Sequence, residues 1–200
     1  MADYMTVGKV LVLTVLAFFM GSVPFGLLFA RLFGQQDPRE VGSGNIGATN
    51  VARAAGKVAG VLTLVFDAAK GYLPVFLAWS WLKSPDYVAL VGLFAILGHC
   101  YSPFLGFKGG KGVATGLGVY LALSPLAVLM AAVVFGLVLW RKGYVSLASI
   151  LAAWAMVPAV FVVRGSLLLT VFTALIALLI TWRHRANIQR LLKGEEPKFF

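Results

Sequence analysis

Long apolar runs, separated by short polar or basic segments, occupy most of this sequence and constrain its fold more than any other feature. A helix crosses the hydrocarbon core of a bilayer with about 20 apolar residues. Hydrophobic residues make up 60% of the chain and charged residues only 12%, whereas soluble domains carry about 25% charged residues. A soluble globular domain, a disordered chain and a collagen-like chain are therefore excluded, and a polytopic membrane protein is expected.

The apolar runs predict an all-α integral membrane bundle of about seven transmembrane helices. The stretch Val113–Trp140 is long for one helix, and we expect it to form two short spans that turn near Ser124 and Pro125, because proline is common at such turns. The predicted spans are Val7–Phe33, Val58–Trp81, Tyr87–Leu105, the two within Val113–Trp140, Val145–Val163 and Leu167–Trp182.

The basic residues orient these spans. With two spans in residues 113–140, four basic clusters share one face, which the positive-inside rule places in the cytoplasm. A single span there would divide the basic residues about evenly. We therefore expect the N-terminus outside and the C-terminus in the cytoplasm. The clusters are Arg31/Arg39/Arg53/Lys57, Lys108/Lys111, Arg141/Lys142 and Arg183/Arg185/Arg190/Lys193/Lys198.

Other global features narrow the class further. The net charge is +10, but the basic residues lie between apolar runs, so they indicate topology rather than nucleic-acid binding. Lys9 is the one basic residue at the start of the first run, and no small-residue cleavage site follows that run, so no cleavable signal is expected. Cys100 is the one cysteine, which excludes an internal disulfide. We expect residues 1–200 to form a single membrane domain.

A polar, glycine-rich segment follows the first span. Gly42-x-Gly44-x-x-Gly47 has the spacing of a dinucleotide fingerprint, but no strand precedes it and no βαβ unit follows, so that function is rejected. Glycines still allow backbone N–H groups to converge on an anion, and a following helix N-terminus adds positive potential. A membrane-surface loop with helix caps is the alternative, but the density of donors favours an anion site. The donor side chains are Ser43, Asn45, Thr49, Asn50 and Arg53.

A second glycine-rich loop, Gly106–Thr115, carries two lysines and opens into an apolar run. It is not a Walker A motif, because Leu105 and Gly112 stand where that motif needs glycine and a hydroxyl residue. The lysines could be topology anchors and the glycines could allow close helix packing. Three glycines exceed the need of an anchor, so phosphate binding is favoured. The candidate residues are Lys108, Gly109, Gly110, Lys111, Gly112 and Thr115.

A few polar residues lie within or beside the apolar runs. Asp67 and Lys70 are three residues apart inside the second span, and we expect a mutual ion pair that supports the structure. His99 could be a ligand, a base or a core histidine. His184 and Asn187 share one face of a helix that leaves the membrane, where they are either functional or interfacial. No cluster of His, Cys, Asp and Glu has ligand spacing, so no metal is expected.

Segments spread from Gly21 to Lys198 carry the motifs of one known family. They are Gly21–Gly26, Gly42–Asn50, Asp67–Gly71, Gly98-His99, Phe107–Thr115, Tyr144–Ile150 and Arg183–Ile188. Together they resemble the PlsY family of bacterial membrane acyl-phosphate:glycerol-3-phosphate acyltransferases. One departure is conservative: the usual Gly-Thr-Glu near the C-terminus reads Gly194-Glu195-Glu196, and the alignment favours Glu196 as the family glutamate.

The resemblance implies transfer of a fatty acyl group from acyl phosphate, not from acyl-CoA or acyl carrier protein, to the 1-hydroxyl of glycerol 3-phosphate in phospholipid biosynthesis. It implies an active site on the cytoplasmic side of the bacterial inner membrane, no cofactor, and membrane lipid but no obligate protein as a partner. The implied catalytic residues are Ser43, Arg53, Lys111, His184 and Asn187. The implied substrate-binding residues are Gly42, Gly44, Asn45, Gly47, Thr49, Asn50, Lys108, Gly109, Gly110, Gly112, Thr115 and Ser149, with structural support from Asp67, Lys70 and Glu196.

An acyl phosphate is a mixed anhydride with a good leaving group, so such a reaction needs positioning and electrostatics rather than a nucleophile. His184 could be the general base, but flanking arginines disfavour that role, and a substrate phosphate is preferred. A transporter of an organic phosphate is one rival function, although the outer half is almost wholly apolar. Glycerolipid acyltransferases with His-x-x-x-x-Asp are disfavoured, because Phe104 follows His99 and Gln189 follows His184 at that spacing.

Overall fold

The computed structural model describes residues 4–33 and 36–199, and every regular element within those ranges is helical. The predicted all-α fold is confirmed. Three helices end where a glycine with positive φ follows them, as in the common C-terminal cap: Gly143, Gly165 and Gly194. In chain order the helices are α1 (Tyr4–Ser22), α2 (Phe25–Leu32), α3 (Ala48–Leu82), α4 (Pro85–Cys100), α5 (Val113–Leu123), α6 (Pro125–Lys142), α7 (Val145–Arg164), α8 (Leu167–Arg183) and α9 (Arg185–Lys193), with a 3-10 turn at Pro103–Leu105.

The described part of the chain holds five helical segments that are long and apolar enough to cross a bilayer. A sixth candidate is α8 together with α9, which are bent by 58° relative to each other. The chain is therefore an integral membrane protein, while the count of seven spans and the orientation of the termini stay predictions. The five segments are Tyr4–Leu32, Ala48–Leu82, Pro85–Leu105, Pro125–Lys142 and Val145–Arg164.

Residues 113–140 form two helices, as predicted, because α5 ends at Leu123 and α6 begins at Pro125; a reversal of the chain between them stays a prediction. Proline suits the first position of a helix, where its missing N–H would have had no intrahelical partner. α5 has 11 residues, which corresponds to roughly 17 Å of helix, about half of the hydrocarbon core. Helix α5 alone is therefore too short to span an unthinned bilayer.

The first predicted span is broken inside its apolar run. α1 and α2 are separated by Val23 and Pro24, since proline has no N–H to continue the helical ladder. Two side chains from elsewhere bind the carbonyls at this break. Ser102 Oγ donates to the carbonyl of Ser22, and Lys70 Nζ donates to the carbonyl of Val23, each at 2.7 Å. The break is thus stabilised by polar groups of the following segments.

α3 also contains a break, at Gly56, where φ is 88° and ψ is 163°. Residues 48–55 form a short helical segment, and the second predicted span begins only after the break. A Cβ on Gly60 would lie 2.5 Å from the Cβ of Ala52. The short segment therefore folds back against the first turn of the spanning helix, and the predicted start of that span near residue 58 agrees with the structure.

The helices form two compact units, here called the N-terminal unit (residues up to 123) and the C-terminal unit (residues from 124). In the C-terminal unit, α7 packs against both α6 and α8. Trp154 Nε1 on α7 donates to Thr181 Oγ1 on α8 at 3.1 Å, which adds a polar tie to that contact. The prediction of one domain over residues 1–200 stays a prediction.

Glycines allow close helix contacts in the N-terminal unit, as small residues do in membrane bundles. A Cβ on Gly21 would overlap the carbonyl of Ala95, where α1 crosses α4. A Cβ on Gly118 would overlap the carbonyl of Ala68, where α5 crosses α3. These backbone contacts position α4 and α5, the two helices that the second glycine-rich loop joins.

Candidate active site

Asn50 organises the first polar loop. It is buried in the first turn of α3, and its Oδ1 accepts the N–H of Ser43 at 3.0 Å. Its Nδ2 donates to the carbonyls of Pro38, Val41 and Asn45 at 2.6, 3.1 and 2.8 Å. The sequence predicted Asn50 as a donor to substrate. In the structure these carbonyls occupy its amide, so Asn50 instead holds the loop that presents Ser43.

The glycines of this loop and Asn45 also determine its backbone path. Gly42 and Gly44 have φ of 57° and 66°, a region that glycine adopts without strain. A Cβ on Gly42 would lie 2.5 Å from Oδ1 of Asn50. Asn45 Oδ1 accepts the N–H of Gly47 at 2.9 Å, a local turn typical of asparagine. The backbone conformation of the loop is therefore enough to explain why glycine stands at positions 42 and 44.

Arg53 is the exposed cation beside this loop. It lies on the short first segment of α3, and its Cδ is 4.0 Å from the position that a Cβ on Gly42 would take. Thr49, on the same segment, is half-buried. Asp37 pairs with Arg39 at 2.6 Å, and the hydrogen bond from Arg39 lowers the pKa of Asp37. The side chain of Arg53 therefore passes beside Gly42, the neighbour of Ser43 in the loop.

Gly109 and Gly110 belong to the end of α4 rather than to an open phosphate cradle. Their N–H groups donate to the carbonyls of Cys100 and His99 at 3.2 and 3.0 Å. A Cβ on Gly109 would overlap the carbonyl of His99. Two backbone amides that the sequence predicted to face an anion are therefore bonded within the protein. Gly112, with φ of 85°, makes the following turn into α5.

The lysines and the threonine of this loop differ in exposure. Lys108 is exposed and Lys111 is half-buried. Lys111 lies two residues before α5, whose first N–H groups have no intrahelical partner and favour a nearby anion. Thr115 is fully buried, and a Cβ on Gly71 of α3 would overlap its carbonyl. Thr115 therefore packs at the contact between α3 and α5, whereas Lys111 lies just before the N-terminus of α5.

The predicted ion pair inside α3 is present. Lys70 Nζ lies 2.6 Å from Asp67 Oδ1, and the side chains are 4% and 2% exposed. Because Lys70 also donates to the carbonyl of Val23, the pair connects α3 to the break between α1 and α2. Nδ1 of His99, on α4, lies 3.8 Å from the same carboxylate oxygen. These contacts support the predicted structural role of Asp67 and Lys70.

Glu196 is the centre of a polar network in the C-terminal unit. Its Oε1 accepts Ser146 Oγ at 2.7 Å and Asn187 Nδ2 at 2.6 Å, and its Oε2 accepts Arg190 Nε at 2.8 Å. Burial raises the pKa of Glu196, but these three hydrogen bonds outweigh it and hold the pKa below its usual value. Glu196 is buried whereas Glu195 is exposed, in agreement with the choice of Glu196 as the supporting glutamate.

His184 lies at the bend between α8 and α9. It is buried, and its Nδ1 is 2.8 Å from the carbonyl of Ile180. A carbonyl can only accept, so Nδ1 carries the proton in that contact, and in a neutral ring Nε2 is then an acceptor. Asn187 donates one amide hydrogen to Glu196 and retains its carbonyl and second hydrogen. Ser149, one turn after Ser146 on α7, is buried.

Three residues with clear roles escaped the sequence analysis. Ser146 and Arg190 bind Glu196, and Ser102 binds the carbonyl at the break of the first span. Ser146 precedes Ser149 by three residues, so the two share one helix face, and this spacing was a usable signal. Arg190 was counted only as a topology residue, and nothing local distinguishes Ser102 from other loop serines.

The fold and these segments define a class: an integral membrane protein of apolar helices with basic, glycine-rich loops suited to phosphate. A family model described as "Glycerol-3-phosphate acyltransferase" matches residues 11–194. A glycerol-3-phosphate acyltransferase of Syntrophotalea carbinolica is 51% identical over 184 residues, which is 92% of this chain and 94% of the relative. That of Geobacter sulfurreducens is 50% identical over 94% of this chain and 97% of the relative.

Solved structures agree with the sequence relatives. A crystal structure of PlsY, an integral membrane glycerol 3-phosphate acyltransferase, in its glycerol 3-phosphate form has a TM-score of 0.90 and 44% identity, and covers 96% of each chain. Its lysophosphatidic acid form has a TM-score of 0.85 and 43% identity, over 96% of this chain and 95% of that one. This chain belongs to the glycerol-3-phosphate acyltransferase family, as its motifs predicted, and is an acyltransferase of the PlsY type.

Proposed function

We propose that the protein transfers a fatty acyl group from an acyl phosphate to the 1-hydroxyl of glycerol 3-phosphate and makes 1-acyl-glycerol 3-phosphate and inorganic phosphate. The observation that carries the proposal is the 44% identity, over 96% of the chain, to a PlsY solved with glycerol 3-phosphate. That relative was also solved in a lysophosphatidic acid form, and lysophosphatidic acid is the product that this reaction would give.

The N-terminal unit supplies the proposed phosphate contacts. Arg53 offers a planar fork of donors that suits phosphate, and Lys111 offers a point charge at the start of a helix. Ser43 adds a neutral hydroxyl on a loop that Asn50 holds in place. Two cations next to the substrates would offset the repulsion between two phosphate-bearing molecules, which is the main obstacle to bringing them together.

The reaction needs one bond to form and one to break. The hydroxyl oxygen of glycerol 3-phosphate attacks the acyl carbonyl carbon, and the bond from that carbon to the phosphate oxygen breaks. The hydroxyl proton passes to a phosphate oxygen, so the products are the ester and hydrogen phosphate. No covalent enzyme intermediate is required, because phosphate is already a good leaving group.

The contacts to the hydroxyl are proposed for the tail residues that the family motif marks as catalytic, His184 and Asn187. With Nδ1 of His184 directed at the carbonyl of Ile180, Nε2 is the nitrogen that would accept the hydroxyl hydrogen. Asn187 retains donor and acceptor capacity beyond its bond to Glu196. We assign His184 and Asn187 to orienting the hydroxyl and Ser149 to substrate binding, with the substrate phosphate as the terminal proton acceptor.

The location follows from charge. If the four basic clusters face the cytoplasm, the loops that carry Arg53 and Lys111 also lie on that side of the bacterial inner membrane. The substrate glycerol 3-phosphate is soluble, while a long-chain acyl phosphate is an amphiphile of the membrane. The proposed product is an early intermediate of phospholipid biosynthesis.

Product formation by the purified protein in detergent tests this function. Labelled glycerol 3-phosphate is supplied with either palmitoyl phosphate or palmitoyl-CoA. We expect labelled lysophosphatidate from palmitoyl phosphate alone. Product from palmitoyl-CoA would overturn the proposed donor, and no product from either donor, with folded protein, would overturn the function.

A further inference from the structure

His99 lies where the buried ion pair of α3 meets the glycine-rich loop. It is 3% exposed, in the last turn of α4. On one side, its Nδ1 faces Asp67 Oδ1 at 3.8 Å. On the other side, its own carbonyl accepts the N–H of Gly110 at 3.0 Å. The residue that follows Gly110 is Lys111, the proposed phosphate ligand.

The imidazole edge that faces the loop is covered by backbone. A Cβ on Gly110 would overlap Nε2 of His99 and would lie 2.7 Å from Cε1 and 3.1 Å from Cδ2. The glycine therefore lies directly against the ring. Because the backbone of Gly110 approaches this edge so closely, it leaves little room for a ligand at Nε2 on the loop side. This geometry disfavours a role for His99 as a base or as a substrate ligand, which the sequence had left open.

The other side of the ring faces a buried ion pair, with Nδ1 beyond hydrogen-bond distance of the Asp67 carboxylate. Asp67 pairs with Lys70 at 2.6 Å, and Lys70 donates to the carbonyl of Val23 at 2.7 Å. An unpaired charge in the bilayer is costly, so this arrangement has little freedom to move. A polar imidazole is also a costly way to fill space that Leu or Phe could fill. Its position between the carboxylate and the glycine gives it a use that an apolar side chain would lack.

We propose that His99 is a positioning residue for Lys111. The ring lies between the Asp67–Lys70 pair and Gly110. Because Gly110 packs against the ring, the ring sets the position and direction of the backbone that carries Lys111. This inference rests on the proposed function of Lys111 as a phosphate ligand. A displacement of about 1 Å at a reacting group can change a rate by about a hundredfold. Loss of the imidazole ring should therefore weaken the binding of glycerol 3-phosphate.

Three substitutions at residue 99 test whether the His99 side chain positions the loop that carries Lys111 or only fills space in the core. His99→Ala removes the ring, His99→Phe keeps a ring but loses the nitrogen that faces Asp67, and His99→Asn keeps a nitrogen near that point. We expect His99→Ala and His99→Phe to raise KM and Kd for glycerol 3-phosphate about tenfold or more, with KM for palmitoyl phosphate within about twofold. His99→Asn should recover part of that affinity.

Cys100→Ala is the matched control, because Cys100 is the next residue along the chain and is buried like His99. This variant should leave both KM values near those of the wild type. A second readout is hydrogen exchange of residues 107–112, which should become faster in His99→Phe than in the wild type. Exchange and KM that match the wild type in His99→Phe would overturn the proposal. So would an equal rise of KM for both substrates.

The experiment also separates this inference from the proposed function. If the wild-type protein neither binds glycerol 3-phosphate nor makes product, the function fails, and the exchange of residues 107–112 still decides whether His99 holds the loop. If the wild type is active and the His99 variants keep its affinity, only the positioning role fails. Should His99→Ala not fold, Gly110→Ala disturbs the same contact from the loop side and is expected to raise KM for glycerol 3-phosphate in the same way.

Discussion

Removal of the Glu196 carboxylate is expected to release the C-terminal tail. The tail after α9 is held by this side chain and by the N–H of Phe199, which donates to the carbonyl of Gly143 at 2.8 Å. Glu196 accepts hydrogen bonds from Ser146, Asn187 and Arg190. In Glu196→Ala all three donors lose their acceptor at once, so the effect should be large and local.

The magnitude follows from the burial of the donors. Ser146 and Asn187 are 7% and 4% exposed, and a buried donor without a partner costs about 1–3 kcal/mol. The side chain of Arg190 is 28% exposed, so water can replace the carboxylate there and the loss is about 0–1 kcal/mol. The contributions add up to about 2–7 kcal/mol. Even the lower part of that range, near 3 kcal/mol, corresponds to roughly a hundredfold change in the docking equilibrium.

Native-state cleavage by trypsin measures that equilibrium. Cleavage after Lys193 releases residues 194–200, and its rate follows the population of the open tail when docking is fast. Glu196→Ala should raise this rate about a hundredfold, whereas Glu195→Ala, at the exposed neighbouring glutamate, should leave it unchanged. Equal rates in the two variants would refute the assignment of Glu196 as the anchor.

The same anchor gives a pH dependence of known sign. The pKa of Glu196 is lower in the folded protein than its usual value of 4.5, because its hydrogen bonds outweigh its burial. Such a group contributes stability above its unfolded pKa and loses that contribution as pH falls through its folded pKa. Amide exchange in α9 should therefore report an equally docked tail between about pH 5 and pH 8, with release only below about pH 4.5.

Further predictions concern the site, the helix contacts and the topology. Arg53→Ala should lower kcat/KM for glycerol 3-phosphate at least about a hundredfold without unfolding the protein, while Lys57→Ala on the same helix should stay near wild type; a fully active Arg53→Ala would contradict the phosphate role. Gly118→Ala should lower the free energy of unfolding by about 2 kcal/mol or more, because the added Cβ would overlap α3. Gly136→Ala, which has open space around it, should leave the free energy of unfolding unchanged or slightly higher. Leu126→Cys, at an exposed position just after the turn, should react with an impermeant thiol reagent from outside the cell if α5 and α6 form two crossings, and lack of outside labelling would count against that topology.

Features fixed by the membrane environment could be predicted from the sequence. Asp67 and Lys70 stand alone in an apolar run at helical spacing, and the cost of an unpaired charge leaves few alternatives to the observed pair. The division of residues 113–140 near Pro125 followed from the distribution of basic residues, and a helix break is present there. The break at Pro24 was missed, because its stability depends on hydrogen bonds from Lys70 and Ser102, which are distant in sequence.

The roles of individual loop residues could not be predicted in the same way, because a donor's type does not determine its partner. Asn50 and Ser43 are both neutral donors in one motif, yet the side-chain amide of Asn50 donates to three carbonyls of the loop. Gly109 and Gly110 fit a phosphate cradle by composition, yet their amides bind the end of α4. A glycine next to a ligand and a glycine next to a neighbouring helix look alike in sequence, and only the atoms that a Cβ would meet tell them apart.

The difference between glycines that pack against the protein and glycines that could contact a ligand bears on how the glycine-rich motifs of this chain would bind phosphate. If most of their glycines and amides serve the fold, the proposed function leaves anion binding to a few other groups of these motifs, chiefly Arg53, Lys111 and the hydroxyl of Ser43. The packed residues then determine where those groups stand: Asn50 for the first loop and His99 for the second. Substitutions at the packed positions should therefore act through affinity for glycerol 3-phosphate, and the His99 series tests this division between ligands and supports most directly.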